Sequence, residues 1–194
     1  MIDLRILTGD ALQATLEDVA QLRISVFRDW PYLYDGDIDY ERGYLQNYRD
    51  SAAAILVGAF DGDRLVGAST GTPMSDHAQD FADAFAQTDY DLNDLFYCAE
   101  SVLLPDYRGQ GIGHAFFEYR EAHARKLGFD YVTFCGVIRP DDHPLRPKSY
   151  RPLDPFWTKR GYKKLTGVTA QFQWKDVDQP EQTGKPLQFW IKPV

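Results

Sequence analysis

The sequence has few cysteines and no long hydrophobic run, and each absence excludes a class of protein. Only Cys98 and Cys135 are present among 194 residues, and they form no Cys-x-x-C pair. A disulfide framework or a structural zinc site therefore has too few ligands. No apolar stretch approaches the roughly 20 residues that span a bilayer. Residues 1–5 also lack the features of a secretion signal, and we expect a cytoplasmic protein with no metal and no membrane contact.

Positive charge is also scarce. The chain has 21 Lys and Arg against 29 Asp and Glu, a formal net charge of −8. A general nucleic-acid surface needs clustered cations that displace counterions from phosphates, so we expect no nucleic-acid partner. A cationic small molecule or peptide suits this charge better, although an acidic balance is often only a solubility feature. The length and the 44% apolar content favour a single folded domain over residues 1–194.

Hydrophobic periodicity predicts a chain of alternating strands and helices. Strands are expected at 4–7, 53–60, 64–72, 95–104, 131–137, 162–165, 168–175 and 187–192. Helices are expected at 12–27, through 44–48, at 111–127 and at 154–160, with a short one at 78–86. Segment 61–63 should form a hairpin turn, and segment 176–186 a longer turn. The strand–helix–strand order over 95–137 predicts a parallel crossover, so the fold class is α/β, a mixed central sheet flanked by helices.

One stretch, from Tyr97 to Leu127, organises the rest of the chain. An apolar strand ends in a Pro-Asp turn, and Gly109, Gly111 and Gly113 then precede a long helix. Glycine lets the main chain approach a ligand closely. A helix N-terminus adds unpaired N–H groups and the positive end of the helix dipole. The loop is therefore predicted to bind an anion, most simply a diphosphate.

Two common phosphate loops do not match this stretch. His114 stands where a dinucleotide fingerprint has its last glycine, and the Lys-Ser/Thr pair of a P-loop is missing. The run from Arg108 to Gly113 instead resembles the acyl-CoA-binding motif of the GNAT superfamily of N-acetyltransferases, Arg/Gln-x-x-Gly-x-Gly/Ala. Residues 156–162, Phe-Trp-Thr-Lys-Arg-Gly-Tyr, resemble the family's later helix and Gly-aromatic ending. The element order resembles the family over most of the chain.

This resemblance implies a GNAT-like acyl-CoA N-acyltransferase fold. It also implies direct transfer of an acetyl group from acetyl-CoA to an amine, with neither a metal nor a covalent enzyme intermediate. In such a site the loop N–H groups bind the pyrophosphate, and the end of the strand pairs with the pantetheine arm, one N–H polarising the thioester carbonyl. The implied cofactor-binding residues are Val102, Leu103, Leu104, Arg108, Gly109, Gln110, Gly111, Ile112, Gly113 and His114. For His114, a solvated surface position is the alternative.

The reaction also needs a base for the ammonium proton and is helped by an acid for the thiolate. Glu100 lies just before the cofactor-binding segment and is the candidate base, acting through a water; alternatively, neighbouring cations or backbone fix it. Many family members have a tyrosine four residues before the glycine of the Gly-aromatic ending, but this chain has Trp157, which has no phenol. Tyr150 is the substitute acid candidate, with packing as the alternative. A CoA thiol is about as acidic as cysteine, so the acid is not obligatory.

The acceptor is expected between Glu100 and two loops. Segment 32–41 is dense in aromatic rings and carboxylates, which suits an ammonium group, although it also suits a solvated turn. The Pro-rich segment 138–155 carries several cations that either contact a substrate or form a rigid solvated surface. The expected acceptor is an amine of a small molecule or an exposed protein amine.

The sequence is also compatible with two other functions and with a homodimer. Acyl transfer to a hydroxyl is one alternative function, and a non-catalytic acyl-CoA-binding module is the other, favoured by Trp157. The strands at 168–175 and 187–192 are expected at a sheet edge, where two copies could pair as a homodimer.

Overall fold

The computed structural model describes residues 2–194, and within that range it contains one sheet of eight strands with five α-helices. The strands are β1 (Asp3–Leu7), β2 (Ile55–Asp61), β3 (Arg64–Pro73), β4 (Leu95–Tyr97), β5 (Ser101–Leu103), β6 (Tyr131–Val137), β7 (Lys163–Lys175) and β8 (Gln182–Pro193). The helices are α1 (Gly9–Phe27), α2 (Ile38–Asp50), α3 (Ala78–Phe85), α4 (Ile112–Leu127) and α5 (Asp154–Lys159). No helix in this range is long and apolar enough to cross a membrane.

The sheet is mixed, as predicted. Its strand order is β1-β2-β3-β4-β6-β8-β7, and β5 pairs with β3 beyond the end of β4. The pair β4 and β6 is parallel, and the other neighbours are antiparallel. Helix α4 connects the two parallel strands, because a parallel pair cannot be joined by a tight turn. The α/β prediction is confirmed.

Helices cover both faces of the sheet because successive strand residues point to opposite sides. Leu56 of β2 packs with α1 and α2, including Leu16 and the fully buried Leu45. Its neighbour Val57 packs on the other face with Phe116 of α4. The apolar stripes of these helices, read from 3.6-residue spacing, therefore form two separate cores with the sheet between them.

The helix ends follow local sequence signals. The Asp37 side chain accepts a hydrogen bond from the Tyr40 N–H at 2.8 Å and so caps the start of α2. Gly128 ends α4 with φ of 86°, in the left-handed region that glycine adopts without strain. The β2–β3 hairpin also turns where the Asp61-Gly62-Asp63 signal places it.

The central strand differs from its prediction. One strand over 95–104 is expected, but the structure divides it into β4 and β5. The Cys98 N–H still donates to the Thr133 carbonyl of β6 at 2.8 Å, whereas the Ala99 N–H donates to Thr70 of β3 at 3.1 Å. β5 then pairs with β3 alone and leaves a gap beside β6. The apolar run carries no sign of this break, because a pairing partner and not the strand itself decides where the strand divides.

The C-terminal strands also need correction. The predicted strands 162–165 and 168–175 are one strand, β7, which begins at Lys163 and has an irregularity between Lys164 and Thr169 where Gly167 has φ of 84°. Strand β8 begins at Gln182, so the turn is shorter than 176–186. Since β8 lies between β6 and β7, residues 187–192 are internal and cannot pair across a dimer. That part of the edge prediction is wrong, and β7 is the edge strand.

Two glycine substitutions test this packing. A Cβ at Gly71 of β3 would lie 2.6 Å from the ring of the buried Phe96, so we expect Gly71→Ala to lower the free energy of unfolding by about 1–3 kcal/mol. Gly43 lies on the exposed face of α2 with no atom within 4 Å of its Cβ position. Gly43→Ala should raise that free energy by about 0.5–1 kcal/mol. Urea unfolding measures both, and effects of the same sign would contradict the packing described.

Candidate active site

The glycine loop has the form of an anion cradle at the start of α4. Gly109 and Gly111 have φ of 76° and 86°, and each Cβ position is open. The N–H groups of His114 and Ala115 already donate to the Gly111 carbonyl, at 3.0 and 3.2 Å. The donors that remain for an anion are therefore those before His114. An exposed loop with such donors fits a diphosphate.

Two cationic side chains border this loop. Arg108 Nε donates to the Leu103 carbonyl at 3.1 Å and so closes the loop onto the end of β5. Arg160 Nη1 lies 3.1 Å from His114 Nδ1, and the His114 ring packs edge-on against Phe156 of α5. His114 is therefore part of the contact between α4 and α5, and Arg160 places a cation beside the loop.

Every second backbone N–H of β5 points into the gap between β5 and β6. The Leu104 N–H donates to the Val66 carbonyl of β3 at 3.0 Å. Bonded pairs recur at every second residue of an antiparallel ladder, so the polar groups of Val102 also face β3. The N–H groups of Ser101 and Leu103 consequently face the gap. Of the predicted pantetheine segment, Leu103 presents its backbone N–H to an added strand, whereas Val102 and Leu104 do not.

The candidate base, Glu100, lies in a buried polar network between β5 and the first two helices. Its carboxylate forms an ion pair with Arg23 Nη1 of α1 and accepts a hydrogen bond from the Tyr44 hydroxyl of α2 at 3.0 Å. Arg23 Nε also donates to Glu41, which is fully buried. One cation thus lies between two carboxylates, and the network carries a formal net charge of −1.

Two groups of the network, Arg23 and Tyr44, keep their protons at neutral pH. Burial opposes the charge on Arg23, but Glu100, Tyr44 and Glu41 hold the pKa of the guanidinium well above its ordinary value. Burial, and next the charge of Glu100, raise the pKa of the Tyr44 phenol well above 10. Arg23 therefore stays cationic and Tyr44 stays a hydrogen-bond donor at neutral pH.

The structure brings the two predicted acceptor loops together, since Arg139 of the Pro-rich segment donates to the Tyr32 carbonyl. The Trp30 ring packs against His143 and Tyr150 of the Pro-rich loop, with ring centroids 5.1 and 5.8 Å apart. Burial raises the pKa of the Tyr32 phenol, and the nearby Cys135, Glu100 and Tyr150 groups raise it further. The Tyr32 phenol therefore stays protonated at neutral pH.

Arg139 holds these loops in place and is one residue whose role the sequence does not reveal. Its guanidinium bonds Asp176 at 2.7 and 2.9 Å, and its Nε donates to the Pro31 carbonyl at 2.8 Å. Trp174 Nε1 donates to the Tyr32 carbonyl at 3.0 Å. Arg139 therefore binds protein groups and is not a cation for a substrate anion.

Trp157 occupies a packed position. Its ring packs against Phe134 and Trp190, with centroids 4.9 and 5.3 Å apart. A Cβ on Gly136 of β6 would lie 3.0 Å from the Trp157 ring. The indole therefore fills core space next to a glycine, and the position where many relatives have a tyrosine offers no acid here.

Comparison with known proteins identifies the family. A family model described as the acetyltransferase (GNAT) family matches residues 17–147, more than half of the chain. The chain belongs to the GNAT acetyltransferase family. The predicted resemblance is confirmed, and acetyl-CoA-dependent acetyl transfer is the general chemistry of this GNAT protein. No match is found among curated proteins.

Solved structures with low sequence identity share the fold. A ribosomal-protein-alanine N-acetyltransferase from Brucella melitensis has 12% identity and a TM-score of 0.62, covering 98% of this chain and 99% of its own. A putative acetyltransferase from Acinetobacter baylyi has 10% identity and a TM-score of 0.65, covering 100% and 93%. One from Salmonella typhimurium, solved with its cofactor acetyl-CoA, has 11% identity and a TM-score of 0.58, covering 98% and 94%.

Acetyl-CoA fits the residues of this GNAT protein. The open loop before His114 has donors that suit the diphosphate, and β5 has no strand paired on the side away from β3, so its backbone can pair with an extended arm. When bound, acetyl-CoA supplies the acetyl group as a thioester. Among residues 2–194 no group of three or more His, Cys, Asp or Glu side chains is placed to hold a metal ion.

Blocking the loop should weaken acetyl-CoA binding. The Gly111→Trp side chain would fill the open space over the loop, and we expect the Kd for acetyl-CoA to rise more than about tenfold, at least about 1.4 kcal/mol. Gly167→Trp is the matched control, because Gly167 also has a left-handed φ and open surroundings but lies in β7. Isothermal titration measures both, and equal affinities for the two variants would contradict the assignment of the loop.

The Arg139–Asp176 contact should make stability depend on pH. Burial would raise the pKa of Asp176, but Arg139 and then Lys185 outweigh it and hold that pKa below its usual value. A carboxyl with a lower pKa in the folded state stabilises above its unfolded pKa, and the contribution is lost as pH falls through the folded value. We expect part of the fall in unfolding free energy below about pH 4 to come from this residue.

Asp176→Asn tests this expectation. The variant should be less stable at pH 7 by about 3–5 kcal/mol, because it leaves buried cations without their partner, and its stability should fall less steeply on acidification. Asp178→Asn, at an exposed position in the same turn, is the control. Urea unfolding from pH 7 to pH 3 gives the curves, and parallel curves for Asp176→Asn and the native protein would refute the linkage.

Proposed function

We propose that this GNAT protein is an N-acetyltransferase that transfers the acetyl group of acetyl-CoA to a primary amine, with Glu100 as the general base. One observation carries the proposal. Glu100 lies at the strand break beside the gap, and its carboxylate belongs to a network of net negative charge. A negative site attracts a protonated amine, and a carboxylate there can take its proton.

The backbone performs the binding and the activation. N–H groups from Gly109 to Gly113 bind the diphosphate, and Arg108 keeps the loop against β5. The backbone N–H groups of Ser101 and Leu103 face the gap and pair with the pantetheine arm and the thioester. A donor aimed at the thioester oxygen stabilises the charge that develops there during attack.

Glu100 acts through an intervening water. Its Oε2 accepts a hydrogen bond from Tyr44 and its Oε1 lies in an ion pair with Arg23, so direct contact with the amine would disturb one of these contacts. A water that accepts the ammonium proton and passes it to Glu100 leaves the network intact, and only the neutral amine then attacks the thioester carbonyl.

Tyr150 is the proposed acid for the departing thiolate. It lies in the acceptor loop against Trp30, and burial followed by the charge of Asp154 raises the pKa of its phenol. The phenol therefore keeps its proton at neutral pH. Its hydroxyl contributes modestly, because a CoA thiolate is itself a moderate leaving group near neutral pH.

The acceptor lies between the Tyr32 segment, Glu100 and the Pro-rich loop, as an amine of a small molecule or an exposed protein amine. The aromatic rings there suit an organic cation.

We place the protein in the cytoplasm, as a single domain over residues 1–194, with no membrane and no nucleic-acid partner. If it forms a homodimer, β7 is the one of the two predicted C-terminal strands that lies at an edge of the sheet and can pair.

Trp157 favours a second candidate function, an acyl-CoA-binding module without catalysis, because it removes the phenol from the position where many relatives have it. Such a module would retain the loop and the gap. A panel of possible acceptors that contains hydroxyl compounds as well as amines distinguishes amine acetylation from the two alternatives, transfer to a hydroxyl and binding without catalysis.

The charge-matched variants Glu100→Gln and Glu41→Gln test the base. Each removes one carboxylate from Arg23, so both should lose stability. Only Glu100→Gln should lower kcat, by about a hundredfold or more. Thiol release from acetyl-CoA across the amine panel measures kcat. Equal kcat values for the two variants would show that Glu100 has only a structural role, and acetyl-CoA binding without turnover by the native protein would establish the module.

A further inference from the structure

Arg120 of α4 is a buried cation that the proposed chemistry has not used. It is 1% exposed, and the oxygens that it reaches are neutral. Its Nη1 donates to the carbonyls of Glu100 and Thr70 at 2.9 and 3.2 Å, and its Nη2 donates to the Ser101 hydroxyl at 2.8 Å. Its Nε donates to the Phe116 carbonyl at 3.1 Å. A buried charge without a counter-ion is costly, so its position requires an explanation.

The position of Arg120 is not explained by a need to give these backbone carbonyls a hydrogen-bond partner. The Glu100 carbonyl already accepts from the Thr70 N–H at 3.1 Å, and the Thr70 carbonyl from the Ala99 N–H at 3.1 Å. Arg120 adds a second, charge-assisted bond to each carbonyl. Without the arginine, both carbonyls would still have a partner, so the strand break does not depend on it alone.

The hydrogen bonds of Arg120 act on a peptide that borders the proposed acetyl-CoA gap. Arg120 binds the carbonyl side of the Glu100–Ser101 peptide. A trans peptide directs its C=O and N–H to opposite sides, so the Ser101 N–H points into the gap between β5 and β6. A cation on the carbonyl polarises the whole peptide and strengthens its N–H as a donor.

We propose that Arg120 is a positioning residue for acetyl transfer: its buried cation fixes and polarises the Glu100–Ser101 peptide so that the Ser101 N–H donates to the thioester oxygen. The inference rests on the proposed transfer from acetyl-CoA in this gap. Arg120 touches neither substrate and acts through one peptide. Helix α4 also begins at the glycine loop. The same helix therefore borders the proposed diphosphate site and, through Arg120, orients the Ser101 N–H at the thioester.

The variant Arg120→Met tests the proposal with acetyl-CoA carrying a ¹³C-labelled thioester carbonyl. Bound to the native protein, this carbonyl should absorb at lower infrared frequency than in solution, because the N–H polarises it. In Arg120→Met the frequency should return most of the way to the solution value. The kcat should fall about tenfold to a hundredfold, while the KM for acetyl-CoA changes less than about threefold.

Two further variants separate positioning from stability. Phe189→Leu, at a fully buried β8 residue in the core beside α3, should lower Tm without changing the carbonyl frequency or kcat. Arg120→Lys keeps the charge but not the planar fork, so it should give an intermediate frequency, and it serves as the test variant if Arg120→Met does not fold.

An unchanged frequency and a kcat within twofold of native in a folded Arg120 variant would overturn the proposal. The infrared measurement needs binding but no turnover. If the native protein binds acetyl-CoA and acetylates no amine, the proposed function fails while the role of Arg120 is still decided by the carbonyl frequency. If the native protein does not bind acetyl-CoA, both proposals fail.

Discussion

The parting of β5 from β6 is the constraint on which the whole site depends. Strand β6 runs parallel to β4 and remains hydrogen-bonded to this segment as far as Cys98. Beyond that residue the two separate, so that backbone donors of β5 face a gap inside the sheet. An unpaired strand edge is normally a liability that proteins cover. Here the edge lies inside the sheet and Arg108 joins its end to the glycine loop, so an extended ligand with a diphosphate at one end would suit it.

Two buried arginines from opposite faces of the sheet meet at one residue beside this parting. Arg23 of α1 binds the Glu100 side chain, and Arg120 of α4 binds its backbone carbonyl. The two contacts differ in kind, since one is an ion pair and the other binds a peptide dipole. Both remove conformational freedom from Glu100, and a fixed carboxylate and a fixed peptide are what a preorganised site requires.

Local features were predictable from the sequence, and non-local ones were not. The glycine loop, the end of α4 at Gly128 and strand β6 depend on residues that are close in the chain, and the structure confirms them. The strand break and the internal place of β8 depend on partners that are distant in the chain. The buried arginines did leave a signal, because Arg23 and Arg120 each fall within the apolar stripe of a helix, where an arginine is unusual.

The Arg139–Asp176 contact has a consequence for how such an enzyme changes over time. The proposed residues for acetyl-CoA come from one continuous segment, 97–127, whereas the proposed walls for the acceptor come from separate loops that Arg139 ties together. Substitutions, insertions or deletions in those loops leave the cofactor segment untouched. On this proposal the donor site is separate from an acceptor site that is free to diverge, and one acyl donor can serve new acceptors without a new fold.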